Sequence, residues 1–334
     1  MLISVSRNVD ESGACTAIKD AAFPAPFVSG LEYGAPSRGT WNIVHIGMLI
    51  PKSHQIYVCA EGCLRGVVLT AEEMGASDRL SSIAVQENNV LEGDMEELII
   101  LGVSDILRKL PQKPPVVLIY TACIHHFMGC DLELVYTKLR KKYPDVAFAD
   151  CYMDPIMRKS GLTPDQKMRR QLYSILKPLR INPKSINIIG NNVPTDESSE
   201  LIRTIRKNGY ELKDITLCKT YDQYLNMAKS FVNISYLPAA ISAGELLDER
   251  LGQKHLYLPL CYGFDEITEN LNTLNKYLGL PLKEYADEKS LALNALKEAK
   301  EVIGDAKISI DYTAVPRPSG LARLLVENGF SVVR

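Results

Sequence analysis

The chain has no apolar run long enough to span a bilayer, and its N-terminus, MLISVSRNVDESGAC, has no basic segment leading into an apolar one. The first absence excludes a transmembrane helix and the second a secretory leader, so the expected setting is the reducing cytoplasm. No repeat of fixed period is present, which sets aside solenoids and propellers. Aromatic residues make up only 7%, with one tryptophan, and the net charge is −2. Without stacking clusters or a basic field, nucleic acid is not an expected partner. The locally basic stretch KMRRQLYSILKPLR, at 167–180, is spaced like the solvated side of an amphipathic helix. Phosphate loops are missing too: GNNVPTDES, at 190–198, fits neither G-x-G-x-x-G nor the Walker pattern. Any nucleotide hydrolysis would belong to a partner.

What the chain does contain is an alternation of short apolar runs with helical periodicity. The runs QIYVCA (55–60), PVVLIYTAC (115–123), VAFADC (146–151), INIIGN (186–191), ITLC (215–218), HLYLPLC (255–261) and KISIDYT (307–313) read as buried parallel strands. Segments 94–110, 131–143, 197–209 and 266–279 carry apolar residues at i, i+3 and i+4 and read as helices between them. Hydrophobic residues are 46% and charged residues 23% of a 334-residue chain, enough for more than one core. The expectation is an α/β protein with mainly parallel sheets and flanking helices. Pro178 and Pro183 close a long helix, which puts a boundary near residue 180. Three units result: 1–180, 181–263, and a helical linker with the beginning of a truncated third α/β domain at 264–334.

Eight cysteines in a reducing compartment are buried thiols, catalytic thiols or metal ligands rather than disulfides. Cys123, Cys151, Cys218 and Cys261 end expected strands, and Cys59 and Cys63 lie at or just beyond the end of another. Ligands of parallel α/β sheets bind at those carboxyl ends. No C-x-x-C pair exists: CAEGC is C-x-x-x-C, and six residues separate Cys123 from Cys130. A metal cluster would therefore draw its thiolates from separate loops.

Five segments resemble the nitrogenase component 1 family. Gly13-Ala14-Cys15 followed by AIKDAAFP is similar to the family's N-terminal Gly-Cys segment, and IYVCAEGCLRGVVLT to its strand, Gly-Cys and helix. PPVVLIYTACIHHFMGCDLELV resembles the third-ligand segment, with LEGDMEEL similar to a short turn and helix before it. KISIDYTAVPRPSGLARLLVENGFSVV resembles the start of the family's third domain.

The resemblance implies Rossmann-like domains and a homodimer. Cys15, Cys63 and Cys123 of each subunit would hold an iron–sulfur cluster, of 4Fe-4S or P-cluster-like type, shared at the subunit interface. It also implies an ATP-dependent iron protein as electron donor and a small-molecule or tetrapyrrole-like substrate. Cys59 and Cys130 have no nitrogenase counterpart and are further candidate ligands, and Glu61 lies between two of the thiols. Where nitrogenase's catalytic subunit carries the cysteine that holds its molybdenum cofactor, this chain has Ser235, so dinitrogen reduction is not expected.

His125 and His126 are candidate catalytic proton donors, against a role in capping the next helix, which Asp131 starts. His45 and His54 are candidates for the substrate side, flanking a turn expected near the cluster loop. Two other readings stand beside the oxidoreductase: a non-catalytic scaffold for metallocofactor assembly, and a metal-free α/β small-molecule binding protein whose cysteines are core thiols.

Overall fold

A computed structural model describes residues 42–153, 162–310 and 315–333. Cys15 lies outside the described residues. The first half runs α1 Ile43–Met48, β1 Ser53–Cys59, α2 Glu61–Glu73, β2 Leu80–Ala84, α3 Glu87–Glu92, α4 Met95–Lys109, β3 Val116–Ala122, α5 Cys123–Phe127, α6 Leu132–Lys142 and β4 Ala147–Met153. These strands form a four-stranded sheet in the order β2-β1-β3-β4, parallel throughout. β1 and β3 are buried along their whole length, as continuous apolar runs covered on both faces should be.

Alternate residues go to opposite faces. Ile56, Val58, Val117 and Ile119 pack under α4 and α6, whereas Tyr57, Cys59, Leu118 and Tyr120 face α1 and α2. On the second face the Tyr57 and Tyr120 rings stack at 4.2 Å. The Tyr57 hydroxyl donates to Gln55 Oε1 (2.8 Å), and Gln55 Nε2 donates to the Val44 carbonyl (2.9 Å), so the buried polar tips are satisfied. A Cβ at Gly47 would stand 2.4 Å from the Tyr120 hydroxyl, which is why α1 can lie so close.

The second half runs α7 Pro164–Leu172, β5 Asn182–Ile188, α8 Glu200–Lys207, β6 Glu211–Asp214, α9 Tyr221–Leu225, β7 Ser230–Ser235, α10 Ile241–Leu251, β8 Lys254–Tyr257 and α11 Phe264–Tyr277. Its sheet repeats the topology of the first, in the order β6-β5-β7-β8, all parallel. Beyond it lie α12 Ala286–Ile303, β9 Lys307–Ile308, α13 Pro318–Glu327 and β10 Ser331–Val332, with β9 and β10 paired in parallel.

Three expectations change. ITLC is a 3-10 turn over Ile215–Leu217, and the strand is the polar edge segment ELKD just before it. β2 and β7 are strands without an apolar run: Ser81 and Ser82 interrupt one, Asn233 and Ser235 the other. On β7 the polar residues form a buried ladder, in which Asn187 donates to Asn233 (2.8 Å) and Gln253 to the Ser230 carbonyl (2.8 Å).

The helix after residue 163 is the third change. Thr163 caps it and Pro164 occupies its first turn, but it stops at Leu172, short of Pro178. Its final carbonyls have side-chain partners: Leu172 accepts from the Tyr224 hydroxyl, and Arg250 donates to the Tyr173 and Leu176 carbonyls. Nor is its basic face wholly solvated. Arg169 is buried and makes a two-pronged pair with buried Asp165 (2.9 and 3.2 Å). It also donates to the Gly190 carbonyl (2.6 Å) and to Asn192 Oδ1 (2.8 Å). Met168, Leu172 and Leu176 share one apolar cluster with Tyr120 of the first sheet and with Leu247 of α10. The two sheets therefore meet across α7 rather than through a solvated linker.

Removing one partner of a buried ion pair leaves an uncompensated charge and costs about 3–5 kcal/mol. We expect Arg169→Met to lower unfolding free energy by that order in a denaturant titration, and the double change with Asp165→Leu to recover much of it.

Candidate cysteine site

The chain order β1, then β2 on one side, then β3 on the other places a topological switch point between β1 and β3. Loops diverge there at the carboxyl ends, leaving a crevice. Strand register pairs Val58 with Thr121, so β1 and β3 end side by side. Cys59 is the last residue of β1, Cys63 lies in the first turn of α2, and Cys123 begins α5 directly after β3. Cys63 is exposed, Cys123 half-buried and Cys59 fully buried. Burial pushes the Cys59 thiol up to about 12, and the charges of the neighbouring Cys63 and Cys123 add to the rise. Cys63 and Cys123 thus follow the carboxyl ends of two neighbouring strands.

The remaining candidates separate. Cys130 packs toward the opposite face of the sheet, against the α4–α6 core. Its thiol is pushed up to about 12 by burial and by Glu96, whose carboxylate also accepts from the Asp131 amide (2.6 Å). Cys151 lies within β4 rather than at its end, opposite Tyr120, and is wholly buried. It is a core thiol. Cys218 follows the 3-10 turn, and half-buried Cys261 accepts from Asn270 Nδ2 (3.2 Å). Glu61 is exposed in the first turn of α2. Among the described residues, no three of His, Cys, Asp and Glu are grouped so as to hold a metal ion. Cys63, exposed, and Cys123, half-buried, are the accessible thiols at this corner.

His125 is 2% exposed, its Nδ1 lies 3.2 Å from the Ala122 backbone, and burial lowers its pKa. It is a neutral buried ring beside the cysteines. His126, the next residue of α5, lies 6.3 Å from the Phe127 ring. Neither caps α6: that role is taken by Asp131, whose Oδ1 accepts from the Leu134 amide (2.9 Å). His54 is near the amino end of β1, opposite to the cysteines, where it bonds Ser81 (2.8 Å) and is held neutral by burial down to about 4. His45 is exposed on α1. The turn between these two histidines is therefore remote from the cysteine corner.

A second switch point lies between β5 and β7. The loop after β5 turns at Gly190 (φ 86°), where a Cβ would meet Ala240 Cβ at 2.0 Å. Arg169, Asn191 bonded to Asp214 (2.8 Å), and Tyr236 bonded to Thr195 (3.1 Å) line this corner. Sequence reading missed it because an arginine on a basic helix gives no sign of burial. Nearby, Ser235 is fully buried and its hydroxyl bonds His255 Nε2 at 2.8 Å.

The family model for nitrogenase component 1 type oxidoreductases matches residues 44–334. The chain belongs to the nitrogenase component 1 family. Among solved structures, nitrogenase Cp1 at pH 6.5 is similar with a TM-score of 0.67 and 14% identity, over 89% of this chain and 70% of that one. Nitrogenase Cp1 at pH 5 is similar with a TM-score of 0.61 and 16% identity, over 93% of this chain and 67% of that one. No curated protein sequence matches. At this identity the structural likeness establishes a shared nitrogenase component 1 fold, mixed α/β with parallel sheets flanked by helices.

Alkylation under native conditions should separate the thiols. At pH 8 a thiol with a pKa of about 12 is about one part in ten thousand thiolate. Iodoacetamide followed by peptide mass spectrometry should label Cys63 well before Cys59 and Cys151; equal rates would contradict this arrangement.

Proposed function

We propose that this protein is the component 1 subunit of a nitrogenase-like oxidoreductase, with Cys15, Cys63 and Cys123 holding an iron–sulfur cluster at the contact between two copies. The observation that supports this is the position of Cys63 and Cys123 just beyond the ends of two adjacent parallel strands at a switch point. When bound, the cluster supplies one-electron transfer at low potential. The chain's own part is to present two thiols from separate loops, one of them exposed, so that a second surface can complete the ligand set. The buried Tyr57–Tyr120 stack lies on the same sheet face as Cys59 and keeps the inner side of the corner dry. Electrons would come from an ATP-dependent iron protein and pass to a small-molecule or tetrapyrrole-like substrate. Units 1–180, 181–263 and 264–334 would correspond to the family's successive domains.

A metallocofactor scaffold is the second reading, favoured by the Ser235–His255 bond, which puts a committed hydroxyl where a cofactor-binding thiol would be. Sustained substrate reduction with an iron protein supports the oxidoreductase, whereas cluster transfer without turnover supports the scaffold.

Protein purified under strict anaerobiosis should contain iron and acid-labile sulfide in equal amounts. Cys15→Ala, Cys63→Ala and Cys123→Ala should each lose most of the iron, and Cys151→Ala should retain it. Iron-free wild-type protein, or full retention in the Cys63 and Cys123 variants, would refute the assignment.

A further inference from the structure

A cleft of ≈ 480 Å³ runs along β6, the edge strand of the second sheet, and is floored by Glu211–Asp214. That volume is in the range of small-molecule sites, about 300–1,000 Å³. Its polar groups are mostly donors. The Lys213 side chain is 14% exposed and its ammonium donates to the Asn226 carbonyl (3.0 Å), leaving further N–H groups. Burial lowers the Lys213 pKa, Glu211 partly offsets this, and Lys229, which lines the same cleft, adds a smaller lowering. Two cations sharing one cleft repel each other, and a bound anion would relieve that.

Two amide side chains at the cleft also have their oxygens already engaged. Gln223 Oε1 is occupied by the Lys219 and Thr220 amides (2.7 and 3.2 Å), and Asn182 Oδ1 by the Lys184 amide (3.0 Å). Among the described residues the NH2 groups of both have no partner, and both residues line the cleft. The acidic groups are largely spent. Asp214 Oδ1 accepts from Thr216 N and Oγ1, and Oδ2 accepts from Asn191. Glu211 is 56% exposed and only 3.5 Å from Lys213, a solvent-screened contact. Leu212 and Leu217 provide an apolar wall.

We propose that this cleft binds a small organic anion, a carboxylate or phosphate on a short apolar body, with Lys213 and Lys229 as its counter-charges. The site is built on β6, the segment after it and the first residue of β5, and contains none of the cysteines of the β1–β3 corner.

Isothermal titration of the full chain with glutarate, butyl phosphate and inorganic phosphate, against sodium chloride at equal ionic strength, tests it. At least one organic probe should bind saturably and more tightly than inorganic phosphate. Lys213→Met and Lys229→Met should each weaken that binding about tenfold, the loss of one charge-assisted contact. Lys289→Met, remote from the cleft, should leave it unchanged. Lys229 is exposed, so its variant keeps the test sound even if the Lys213 variant misfolds. No saturable binding of either organic probe, or undiminished binding in Lys229→Met, would overturn the proposal.

Discussion

Parallel pairing of β1 with β3, and of β5 with β7, is the constraint from which the rest follows. Parallel neighbours cannot be joined by a tight turn, so each connection crosses a face of the sheet as a helix. Because β2 and β3 lie on opposite sides of β1, the connecting helices cover opposite faces, and both faces of β1 and β3 must be apolar. The same reversal opens a crevice at their carboxyl ends. Burial of the strands and placement of the cysteines are two results of one topology.

The second sheet repeats this order with a different interior. Its outer face is aliphatic, built on Ile186, Val232 and Ile234, while its other face carries Asn187, Asn233, Ser235 and His255 in mutual or backbone hydrogen bonds. Buried polar groups are tolerated when all are paired, and a paired ladder specifies register more sharply than interchangeable aliphatics. Arg169 adds to this from outside the sheet, fixing the loop after β5 to α7 through the Gly190 carbonyl and Asn192. Since α7 also packs on β4 and α1, one helix ties the loop after β5 to the first sheet.

The thiols illustrate how one residue type divides by environment. Cys151 is a small hydrophobe under a tyrosine stack, Cys130 is turned to Glu96, and Cys63 is open to solvent. Cys59 is the intermediate case, buried in the core yet adjacent to both Cys63 and Cys123. Only the exposed and half-buried members are accessible for chemistry, because a thiolate is the reactive form and burial suppresses it.

Apolar runs and their spacing were sufficient to determine that this is an α/β protein with β1, β3, β4, β5 and β8 in parallel sheets, since a strand covered on both faces must be apolar throughout. The positions of Cys63 and Cys123 beyond strand ends were legible for the same reason: both follow such runs. The edge strands β2 and β6 and the polar-faced β7 were not, because one exposed or hydrogen-bonded face removes the continuous apolar signal. Burial of Arg169, the separation of Cys130 from Cys123 and the early end of α7 were decided only by tertiary structure. Each depends on a partner distant in sequence, Gly190, Glu96 or Arg250, and local composition carries no information about which distant group will supply the compensating charge or hydrogen bond.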